Sequence, residues 1–104
     1  MTGFIFKKYH VAVLEENESF LARMIISLKS WYQNKIVVEP FTSSREMFEA
    51  INVNEVKNKP FDVAVLNSEG DVEQMILKRS NPSLKVIRCQ DEQSLKKETA
   101  KILL

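Results

Sequence analysis

Four short apolar runs punctuate the chain, at 9–14 (YHVAVL), 35–39 (KIVVE), 61–66 (FDVAVL) and 84–89 (LKVIRC). Each is rich in β-branched residues and short enough to predict a strand. The first and third are nearly the same word, HVAVL before Glu15 and DVAVL before Asn67. Near-continuous apolarity of this kind marks central strands of a parallel sheet, covered on both faces.

Between the runs the hydrophobic period becomes helical. After Asn17, an N-cap followed by Glu18, the residues Leu21, Met24, Ile25, Leu28 and Tyr32 recur at helix spacing. A second helix starts at Ser43, where Ser43 and Glu46 form a capping-box pattern and Met47, Phe48 and Ile51 turn inward. It ends in the asparagine-rich NVNEVKNKP, because a residue before proline is pushed out of helical geometry. Asp71 and Gln74 repeat the capping pattern for a short third helix, with Val72, Met75 and Ile76 expected inward and an end before Pro82. A last helix is expected over 94–104, with Leu95, Ile102 and Leu103 as its apolar positions.

The resulting order, β-α four times, predicts an α/β fold: a parallel sheet between two helix layers, joined by right-handed crossovers. At 104 residues, with no repeat, low-complexity tract or linker, the chain reads as one domain over 1–104. The abrupt end at KILL suggests the N-terminal part of a longer protein.

Composition narrows the function classes. The hydrophobic and charged fractions, 44% and 28%, are those of a packed globule. A formal charge of +1 gives no broad attraction for nucleic acid or an anionic membrane. The densest basic patch, Lys96, Lys97 and Lys101, reads as a solvated helix face. Cys89 is the only cysteine, which forbids an internal disulfide and suits a reducing, cytoplasmic setting. No run approaches the length of a membrane span, and MTGFIFKKYHVAVL lacks the layout of an export signal.

Chemistry in an open parallel sheet belongs beyond the carboxyl ends of the strands, where strand order reverses. If the first and third strands are neighbours there, Glu15, Glu16, Asn67 and the residue after the fourth strand share one rim. Adjacent carboxylates at such a rim can hold a hard cation such as Mg²⁺. No glycine-rich phosphate loop or nucleophile elbow is present, since the only glycines are Gly3 and Gly70, and His10 has no second histidine to share zinc or a proton relay.

With VLEEN after the first strand, about four turns of helix and VLN closing the third strand, the sequence resembles the receiver domains of bacterial response regulators. The resemblance implies a flavodoxin-like sheet of order 2-1-3-4, with the family's fifth strand missing or degenerate. It places Glu15 and Glu16 on the acidic pair that binds Mg²⁺ and Asn67 on the phosphoacceptor. The switch-hydroxyl position falls on Gln90 or, one residue earlier, on Cys89. An amide supplies no carboxylate nucleophile, so Asn67 is not expected to accept phosphate, and Mg²⁺ is expected to bind weakly or not at all. Settings that fit are stand-alone regulators, receiver-fronted transcription factors and Tad-type pilus-assembly ATPases with an atypical N-terminal receiver.

The function expected on these grounds is a pseudo-receiver, not an enzyme, acting as a protein-interaction or dimerisation module in bacterial signalling or assembly. An open fourth-strand edge makes Leu84, Val86, Leu95, Ile102 and Leu103 the expected exposed interface. The alternative is a Mg²⁺-dependent receiver whose acceptor has moved to Glu15, Glu16 or Asp71. A third reading makes Cys89 a redox-sensing thiol, against a packed core cysteine. For the rim residues the plainer roles are turn capping by Asn67 and solvation of Glu15 and Glu16 beside a helix N-terminus.

Overall fold

The computed structural model describes residues 8–67 and 71–104. The turn at 68–70 and the N-terminal MTGFIFK, on which some sequence expectations bear, lie outside the described residues. Among the described residues the elements run β1 (Tyr9–Leu14), α1 (Glu18–Tyr32), β2 (Ile36–Phe41), α2 (Ser44–Val56), β3 (Val63–Asn67), α3 (Asp71–Ser80), β4 (Lys85–Cys89) and α4 (Glu92–Leu103). The strands form one all-parallel sheet, as the alternating pattern predicts, in the order β2-β1-β3-β4 that the resemblance implies, consistent with a flavodoxin-like fold.

Strand alternation divides the core into two layers. Val11, Val13, Val63, Val65, Ile87 and Cys89 face α1 and α4, whereas Ala12, Leu14, Ala64 and Leu66 face Met47 and Ile51 of α2 and Leu77 of α3. The two central strands are therefore apolar at nearly every position, which explains the repeated VAVL word. β2 runs two residues further than the sequence suggests, through Pro40 to Phe41. Proline is tolerated there because β2 is an edge strand.

α4 packs beside α1 rather than beside α2 and α3. A right-handed crossover to a further parallel strand outside β4 would need a helix on the opposite face. Instead α4 folds back under β4, and Tyr32 Oη meets Thr99 Oγ1 at 2.6 Å in the buried seam between the two helices.

Three sequence expectations are corrected. α4 begins at Glu92, not at 94, because Asp91 is the N-cap: its side chain accepts from the Ser94 amide while Ser94 Oγ reaches back to the Asp91 amide. Val72, Met75 and Ile76 do not point inward; only Leu77 of α3 is fully buried, and the other three are exposed. The expected apolar surface around β4 and α4 is absent as well. Leu95 and Leu103 are buried and Ile102 half-buried because α4 turns its apolar stripe onto the sheet, while Leu84 is buried and Val86 half-buried in the opposite layer, with Met47, Ile51 and Leu77.

Candidate functional site

The carboxyl ends of β1, β3 and β4 form one lip. Val13 is level with Val65 and Val65 with Ile87, and Asn67 is level with Cys89. Counting two residues on from Val13 and Val65 sets Glu15 opposite Asn67. By alternation Glu15, Asn67 and Cys89 all lie on the α1/α4 side, as polar heads to the rows Val11–Val13, Val63–Val65 and Ile87. The sheet thus brings together Glu15, Asn67 and Cys89, while Glu16 and Gln90 stand exposed just outside the row. Of Gln90 and Cys89, the two residues the resemblance offers for the switch-hydroxyl position, Cys89 is the one level with Asn67.

Glu15 is buried, yet its carboxylate already has a task. Oε2 accepts the Asn17 amide at 2.8 Å, and the Glu15 amide donates to the Phe41 carbonyl at 3.0 Å, so the residue fixes the turn into α1. Asn17 then caps the helix by accepting the Phe20 amide at 3.0 Å. Gln90 is anchored through its backbone, which donates to Ser94 Oγ at 3.0 Å. Asp71 pairs with the Arg88 guanidinium across α3 and β4, where Gln74 also accepts from Arg88 at 3.3 Å. Among the described residues no three His, Cys, Asp or Glu side chains converge in a metal-binding cluster.

The Cys89 thiol is 2% exposed and pushed up to about 11, first by burial and then by the negative charges of Asp91, Glu15 and Glu98. A thiolate nucleophile needs the opposite setting, electropositive and open. The geometry therefore favours the packed-cysteine reading over the redox one. Because the folded value lies above the ordinary 9.0, the folded chain holds this proton while the unfolded chain releases it. Its stabilising contribution is complete below pH 9 and is lost as pH rises towards 11. That loss is expected to be on the order of 2–3 kcal/mol and to be missing in Cys89→Ala, measured by denaturant unfolding across this window. The native thiol should also stay silent to a thiol reagent near neutral pH.

His10 has its partners within the fold. Its Nε2 lies 3.1 Å from Glu39 Oε1 and its ring stacks on Phe61 with centroids 3.8 Å apart. In the basic patch, Lys96 sits 5.6 Å over the Trp31 ring and Lys101 pairs with Glu98 at 2.9 Å, so both cations have partners within the domain. One feature escaped the sequence reading: a cleft of about 320 Å³ beside the lip, lined by Phe20, Arg23 and Met24 of α1 and by Gln90, Asp91 and Glu92. The Asp91-x-x-Ser94 box was the available signal, because it fixes where α4 starts and hence where the cleft opens. Glu92 also closes onto α1, accepting a hydrogen bond from Ser27.

No protein-family profile matches the chain, and neither a curated protein nor a solved structure is significantly similar to it. Among the described residues no helix is long and apolar enough to cross a membrane.

Proposed function

We propose that this chain is an atypical receiver-like domain, cytoplasmic, not phosphorylated by the usual aspartyl route, and acting as a protein-interaction or dimerisation module in bacterial signalling or assembly. One observation carries the reading: Asn67 ends the central strand β3, level with Cys89 and on the same face as Glu15. In the family that the sequence resembles, a phosphoryl-accepting carboxylate would occupy this slot. A neutral amide there lacks the nucleophilic oxygen that acyl phosphate formation requires.

The surroundings support the same conclusion. Glu15 is committed to the α1 turn, and Asp71 to Arg88, so neither carboxylate stands ready as a displaced acceptor. Cys89 beside Asn67 offers no hydroxyl to sense a phosphoryl group. The domain's work is then recognition of another protein surface, without insertion into a membrane and without nucleic-acid binding.

Intact mass after incubation with Mg²⁺ and a small-molecule phosphodonor tests this. The expected spectrum shows the unmodified chain alone. A phosphate adduct mapped to Glu15, Glu16 or Asp71 would establish the displaced-carboxylate alternative instead.

A further inference from the structure

α3 carries its apolar stripe on the outside. Its rotation is fixed by three anchors: Leu77, 1% exposed in the core; Glu73, which accepts from Ser44 Oγ at 3.0 Å on the α2 side; and Gln74 with Asp71, held by Arg88 on the β4 side. With those contacts made, Val72, Met75 and Ile76 are left 65%, 66% and 43% exposed. Their spacing, i, i+3 and i+4, makes one continuous ridge rather than scattered surface residues.

We infer that this ridge is where two copies of the chain pair, α3 against α3, antiparallel across a two-fold axis near Met75 and Ile76. The charge order of the helix selects a second copy. Asp71 and Glu73 occupy its first turn and Lys78 and Arg79 its last. Antiparallel pairing sets each acidic first turn against the basic last turn of the other copy, and the positive end of each helix dipole against the negative end of the other. Parallel pairing would set like against like. A two-fold contact also requires a patch complementary to itself, which a ridge with Met75 and Ile76 at its middle provides.

Competing surfaces are less suited. The β2 edge carries Pro40, the β4 edge carries Lys85 and Arg88, and proline and charge both oppose edge-to-edge pairing. The apolar residues of α4 are spent on the core. The ridge is narrow, so the contact buries less than a standard interface and the dimer is weak and concentration-dependent. The inference deepens the interaction-module reading and rests on it only in requiring a protein partner.

The test uses the full chain. Sedimentation across a concentration series should show a mass that rises reversibly towards the dimer. The double variant V72E/I76E should stay folded, because both positions are exposed, and should remain monomeric throughout. In Met75→Cys, oxidised glutathione should give a disulfide-linked dimer, while Val53→Cys on the exposed side of α2 should not; the buried Cys89 leaves this comparison clean. A wild-type chain monomeric at every concentration, a dimer indifferent to V72E/I76E, or cross-linking through Val53→Cys would each overturn the inference. A monomer free of phosphate adduct would sink this interface alone, whereas a phosphate adduct would sink the pseudo-receiver reading whatever the sedimentation result.

Discussion

Leu95→Ala should lower the free energy of unfolding by about 2–5 kcal/mol, the usual cost of emptying a leucine site in a packed core. For a domain of this size each kcal/mol moves the melting temperature by roughly 4–8 °C, so a fall of roughly 10 °C or more is expected. Leu95 is fully buried on α4 among Ile87, Cys89 and Leu28, in the layer that holds α1 and α4 to the sheet. It lies one helical turn before Thr99, whose hydroxyl donates to the Leu95 carbonyl at 2.7 Å and also meets Tyr32. Loss of packing there loosens the seam that closes this face. Were Leu95 an interface residue, the same substitution would leave stability intact and change only association. Denaturant unfolding run beside sedimentation separates the two.

Asn67→Asp should raise affinity for Mg²⁺ or Mn²⁺ by at least about tenfold, ~1.4 kcal/mol. The substitution returns a negative charge to the lip beside Glu15, with Glu16 at its outer side. A unit charge pair 4 Å apart at an effective dielectric of about 20 interacts by roughly 4 kcal/mol, so tenfold is modest even after the new carboxylate has lost part of its hydration. Mg²⁺ sites rest on one or two carboxylates plus retained water, and of the acidic pair at the wild-type lip Glu15 already accepts from Asn17 and Glu16 is exposed. Isothermal titration of both chains measures the difference.

The sheet was legible because burial imposed itself on every position of the central strands. HVAVL and DVAVL read as neighbouring strands covered on both faces, as β1 and β3 are, whereas the full strand order came only with the resemblance. α1 was equally plain: behind an Asn17 cap, Leu21, Met24, Leu28 and Tyr32 recur at helical spacing and are buried, with Ile25 half-buried beside them. Helix phase in α3 was not legible. Val72, Met75 and Ile76 are a better apolar stripe than Leu77 alone, yet the polar contacts of Glu73 with Ser44 and of Asp71 with Arg88 hold that stripe outward, and such long-range pairs leave no periodic trace. The β4 edge misled for a related reason. Leu95, Ile102 and Leu103 looked available because the sequence does not tell which face the last helix will cover, whereas Leu84 and Val86 pack into the opposite layer with Met47, Ile51 and Leu77. At the lip, the residue types were readable from strand ends, but the commitment of Glu15 to the Asn17 amide is a property of the folded turn.

The central claim, that Asn67 and Glu15 share one lip and that the amide is what silences it, is tested most directly by residue-resolved paramagnetic broadening with Mn²⁺ in N67D against wild type. The account predicts that amide signals of residues 15, 67 and 89 broaden first in N67D, at Mn²⁺ levels that leave wild type unchanged. Broadening centred elsewhere on the molecule, or equal at these residues in both chains, would contradict it.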